Sequence, residues 1–144
     1  MKILKVLFAV PLVLLLASSV SMAADFIWFD DFNSTAEADP PAFKARLAAR
    51  FQIGEAKINS VLSNVEKPAD AYMVLRLGEM SKQPMERVIK EYRSCKGKGW
   101  GVIAKNLGIK PGSKEFHALK RGHDLYDDYD KGKRKGKGKG KGRD

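Results

Sequence analysis

Prolines at 40, 68 and 84 and glycines at 54, 99, 108 and 122 recur through the middle of the chain at intervals too short for any long helix. Proline fits the first position of a helix and cannot continue one, while glycine readily ends one. The chain must therefore fold as short segments. Within them the apolar residues fall at helical spacing: Phe43, Leu47 and Phe51 after Asp39-Pro40, then Ile58, Val61, Leu62 and Val65 after Gly54. Tyr72, Met73, Leu77 and Met80 follow Pro68, with a stop expected near Gly78, and Val88, Tyr92 and Cys95 follow Pro84. No useful length alternates with period two, so no strand is expected. The fold class is all-α, a small single domain of five or six short crossed helices over residues 40–130.

The stretch from Gly97 to Gly122 reads as two helices and a marked turn. Trp100, Ile103 and Leu107 share one face, Gly108 suits the position just past a helix end, and Pro111-Gly112 blocks continuation. Ser113 is placed to cap a second helix carrying Phe116 and Leu119 inward. Ile103 to Ile109 looks like the first half of a DNA-reading helix-turn-helix. The usual spacing would then bury Lys114 and His117, whereas the apolar residues are Phe116 and Leu119. The unit is expected to pack a core and not to read DNA. Leu77-Gly78 and Leu107-Gly108 also stand thirty residues apart, a weak internal echo that a duplicated helix pair would explain.

The run Gly-Trp-Gly-Val-Ile-Ala-Lys-Asn-Leu-Gly, Gly99 to Gly108, resembles a motif of uncharacterised exported bacterial proteins. The resemblance covers roughly residues 50–122. It implies a helical exported domain and brings no activity with it.

Residues 1–23 have the plan of a cleaved export signal. Lys2 and Lys5 precede an apolar run from Val6 to Ala17, and Ser21-Met22-Ala23 offers a small-x-small cleavage site. The protein is expected to be exported, periplasmic or extracellular, with no integral membrane segment after cleavage. Removing this signal and the tail leaves 107 residues, enough for one domain burying about two-thirds of its surface. Cys95 is the only cysteine, so no internal disulfide can form, and its spacing from Val88 and Tyr92 turns it toward the core.

Charge is distributed unevenly. Of a net +10, the tail from Lys131 to Asp144 contributes +7, while the body holds 17 basic and 16 acidic residues. Residues 24–39 mix Phe26, Ile27, Trp28, Phe29 and Phe32 with acids and are expected to dock on the helical body, a partner-binding strip being the alternative. From Lys90 to Arg121 there are nine bases against Glu91 and Glu115, and Asp124, Asp127, Asp128 and Asp130 follow. Acidic ends folded near the basic middle would relieve self-repulsion; otherwise the basic face is free for an anionic partner.

The tail of alternating lysine and glycine cannot bury a core and is expected to be disordered, spanning about 20 Å root-mean-square. Lys131, Lys133, Arg134, Lys135, Lys137, Lys139, Lys141 and Arg143, with Lys96 and Lys98, are the expected polyanion-binding residues. Nucleic acid, anionic lipid headgroups or an envelope polymer would each suit them. There is no nucleophile elbow, phosphate-cradling loop or metal-spaced cysteine cluster. No catalytic residue, metal or cofactor is therefore expected. The alternative is an extracytoplasmic assembly protein contacting an envelope protein through its aromatic segment.

Overall fold

The structure, a computed structural model, describes residues 26–126. Seven helices make up these residues: α1 Phe29–Ala38, α2 Pro40–Phe51, α3 Glu55–Leu62, α4 Pro68–Ser81, α5 Met85–Ser94, α6 Trp100–Asn106 and α7 Lys114–Arg121. Among the described residues there is no strand.

Local signals set most of the ends. The Asp39 carboxylate accepts the Ala42 N–H at 3.1 Å, with Pro40 in the first position of α2. Ser113 Oγ accepts the Phe116 N–H at 3.2 Å at the start of α7. At the end of α6 the Gly108 N–H donates to Lys105 O and the Ile109 N–H to Ala104 O. That pair of hydrogen bonds, with Gly108 at φ 90°, is a Schellman ending.

The central helix is α4, which packs against α1, α3 and α5. Ala69, Ala71, Tyr72, Met73, Val74, Leu75 and Leu77 are all buried along it, because it is covered on several sides. It does not stop near Gly78: it continues to Ser81 and ends where Lys82 turns left-handed at φ 54°. Gly78 lies close beneath the next connection, where a Cβ would sit 3.5 Å from Gln83 O.

The seventh helix, beyond the five or six expected, is α1. Phe29, Phe32, Asn33 and Ala36 stand at i, i+3, i+4 and i+7, a stripe partly hidden by one polar and one small residue. Phe32 and Ala36 are buried, and Asn33 Oδ1 accepts the Ala69 N–H at 2.7 Å. One helix thus supplies the cap for the first turn of another, satisfying a donor that α4 cannot pair internally. Trp28 Nε1–H reaches Leu119 O at 3.2 Å and ties the start of α1 to α7. The aromatic segment therefore docks on the body and belongs to its core, with Ile27 the exposed large apolar residue among those described.

Candidate functional site

The expected site divides at the limit of the described residues. Lys131, Lys133, Arg134, Lys135, Lys137, Lys139, Lys141 and Arg143 lie outside them. Lys96 and Lys98 lie in the connection between α5 and α6 and are exposed. Lys96 is ion-paired to Glu66, and both side chains stay largely exposed.

The basic stretch is carried by α5, α6, α7 and their connections. Val88 and Tyr92 turn inward on α5, Ile103 and Ala104 on α6, and Phe116 and Leu119 on α7. Helical periodicity then sends the cations outward. Lys90, Lys98, Lys105, Lys110 and Lys114 are exposed and make no ion pair among the described residues. Lys120 is half-buried, its ammonium 5.4 Å from the centre of the Phe116 ring. Both residues that a DNA-reading arrangement would bury, Lys114 and His117, are exposed.

Among the nearby acids, Glu91 is engaged mainly by neutral donors, with the charges of Arg87 and Lys90 acting on it as well. Glu91 accepts hydrogen bonds from Asn106 and from the Cys95 thiol, the latter at 3.2 Å. The Asn106 bond first, then the thiol, holds the Glu91 carboxyl below its ordinary range. The same contact with Glu91, together with burial, pushes the Cys95 thiol up. Cys95 is thus buried and held protonated, the opposite of a reactive thiolate.

Of the four C-terminal acids, Asp127, Asp128 and Asp130 lie outside the described residues, and Asp124 is engaged elsewhere. Asp124 Oδ2 lies 2.7 Å from Arg50 Nη2, and the Tyr72 hydroxyl donates to its Oδ1 at 2.9 Å. Glu79 joins the group through a two-pronged contact with Arg50 at 3.1 Å and through Arg76. Burial opposes ionisation of Asp124, but Arg50 and Tyr72 outweigh it and hold the carboxyl below its usual value. Glu79 is depressed in the same way, burial being outweighed by Arg50 and Arg76. The Arg50 guanidinium is correspondingly raised by its bonds to Asp124 and Glu79. Acidic end and basic middle do not neutralise one another through Asp124, whose cations come from α2 and α4.

The other polar cluster is structural. Asp70 accepts the Tyr92 hydroxyl at 3.0 Å, Trp100 Nε1–H at 3.3 Å and the Lys67 N–H at 3.2 Å. Tyr92 and Trp100 stack with centroids 5.2 Å apart. Burial, with the neighbouring Asp70 charge, pushes the Tyr92 hydroxyl up to about 12. His123 sits among the rings of Trp28, Phe32, Tyr72 and Tyr126. Among the described residues no group of three His, Cys, Asp or Glu is arranged to hold a metal ion.

Two hollows remain. One of about 510 Å³ between α2 and α3 is walled by Pro40, Pro41, Ala45, Ala48 and Ile58, and its Lys44 ammonium donates to Asn59 Oδ1 at 3.1 Å. The other, about 480 Å³, lies between the end of α4 and the loop from Leu107 to Ser113. Neither gathers the convergent polar groups of a chemical site. No helix among the described residues is long and apolar enough to cross a membrane.

No family model, curated protein or solved structure matches this chain.

Proposed function

We propose that the protein is an exported, non-enzymatic binding module that holds a polyanion through its cationic tail and the basic surface of α5 to α7. The observation that carries the reading is the set of exposed lysines without ion pairs among the described residues, Lys90, Lys98, Lys105, Lys110 and Lys114. They stand in the same half of the chain as the eight tail cations. Unneutralised like charges repel and cost the folded chain some stability, so their clustering is better used against an anionic ligand. The principal carboxylate clusters support a non-catalytic reading, since Asp70 and Asp124 have tyrosine, tryptophan and arginine partners supplied by the fold. A role in assembly through the aromatic segment has less to stand on, because Phe26, Phe32 and Trp100 are buried.

The test is salt-dependent binding of a labelled polyanion to the chain from Ala24 onward, compared with a chain ending at Asp130. Log affinity is expected to fall linearly with log salt, with a slope approaching about −6 for a single strand that engages all eight tail cations. Removing the tail is expected to take away most of that slope and to leave the thermal melt nearly unchanged. Equal binding by both chains would reject the tail and leave the α5–α7 surface as the site.

A further inference from the structure

The described surface also bears on which polyanion is bound. A ligand with bases is held by stacking on exposed rings or by guanidinium forks aimed at base edges. Neither is well supplied here. Both tryptophans and every described phenylalanine and tyrosine are buried or half-buried in the body. Four guanidiniums have acceptors within the fold: Arg50 and Arg76 in the Asp124 group, Arg93 on Asn64, and Arg121 on His117 O. Arg87 on α5 is exposed, and Arg134 and Arg143 lie in the tail, but most of the remaining cations are ammoniums. Thirteen of the seventeen cations between Lys90 and Arg143 are lysines. A lysine binds phosphate as a compact point charge without fixed geometry, whereas arginine reads it as a planar fork. An anionic bilayer is less well matched, since stable attachment to one usually adds an inserted apolar group to the charge. Ile27 is the exposed large apolar side chain of the described residues; its neighbour Trp28 ties the segment to α7, but one such side chain is little to insert into a bilayer.

We infer that the ligand is a linear phosphate polymer without bases, held chiefly by lysine charge; this rests on the polyanion-binding reading above. Inorganic polyphosphate is the probe. Its binding to the chain Ala24–Asp144 would be compared with an oligothymidylate of matched charge and with phosphatidylglycerol vesicles. Polyphosphate is expected to bind at least as tightly as the oligonucleotide and more tightly than the vesicles. Replacing Lys105, Lys110 and Lys114 together by glutamine is expected to reduce the salt slope by about two while the melt stays unchanged. Oligonucleotide binding about tenfold tighter than polyphosphate, and lost in Tyr129→Ala or His117→Ala, would overturn the inference in favour of base stacking. Preference for vesicles would overturn it in favour of a lipid surface. In either case the polyanion reading would survive, whereas failure of all three probes to bind would overturn that reading as well.

Discussion

Asp70 near the start of α4 and Asp124 docked against its far half each accept a hydrogen bond from a tyrosine, yet their other partners differ in kind. Asp70 takes an indole N–H and a backbone N–H, both neutral, and its two ring donors stack on each other in the core. Asp124 takes Arg50 and lies 4.0 Å from Arg76, at a corner where its own side chain is 38% exposed. The first cluster is a packing joint that uses hydrogen bonds to fix ring orientation. The second is an ionic latch that holds the segment after α7 to α2 and α4. One helix is thus secured by two physical means, and they should respond to different perturbations.

The largest effect is expected at the packing joint. Trp100→Ala should cost about 3–5 kcal/mol in chemical denaturation, because a buried indole leaves a cavity that the helices cannot fully close. Trp100→Phe should keep the stack and lose about 1 kcal/mol for the missing N–H. A loss under about half a kcal/mol for the alanine variant would show that this end is not held by packing.

Next comes the latch. Arg50→Ala should cost about 1–2 kcal/mol, since charged hydrogen bonds are strong but this corner is partly solvated. Hydrogen exchange should then quicken over residues 122–126 while α5 and α6 stay protected. Equal acceleration at both ends of α4 would erase the distinction drawn above.

Gly78→Ala probes α4 beside the latch without touching a charge. The added methyl would meet Gln83 O at an ordinary 3.5 Å inside a helix, so stability should rise by about 0.5–1 kcal/mol. A loss on thermal denaturation would mean that Gly78 is needed for close approach of the α4–α5 connection.

The smallest effects are those of pH and salt. Asp124 and Glu79 have folded pKa values depressed below their unfolded ones. Their stabilisation is therefore present above the ordinary carboxylate range near about 4 and is lost as pH falls through the folded values. The stability gap between the parent chain and Arg50→Ala should narrow as pH falls in that window, and by a few tenths of a kcal/mol in high salt. Tyr92→Phe, at the packing joint, should show a gap that salt leaves unchanged. A salt-insensitive latch would refute its ionic character.

The two Leu-Gly pairs show how far sequence carries. Gly108 ends α6 as the spacing suggests, in a left-handed turn whose bonds all return within six residues. Gly78, after the same leucine, lies inside α4, which runs on to Ser81. The dipeptide permits a stop and does not require one. Burial of Leu77 and Leu75 beneath neighbouring helices favours continuation. The thirty-residue echo is accordingly not an echo of structure at this position.

By itself the sequence determined what is decided within about one helical turn. The Asp39 and Ser113 caps, the Gly108 ending, the inward face of Phe116 and Leu119, the burial of Trp100 and Cys95 and the surplus of cations after Lys90 are all read from near neighbours. Only the tertiary structure decided what depends on distant partners. It set Asn33 as the cap on Ala69 across 36 residues, joined Asp70 to Tyr92 and Trp100 across 22 and 30 residues, and joined Asp124 to Tyr72 across 52. It also decided which cations are neutralised, pairing Lys96 with Glu66 while Lys98 stays unpaired among the described residues. The reason is physical: helix caps and periodicity act through the chain's own next turn, whereas burial and ion pairing depend on which surfaces meet after folding.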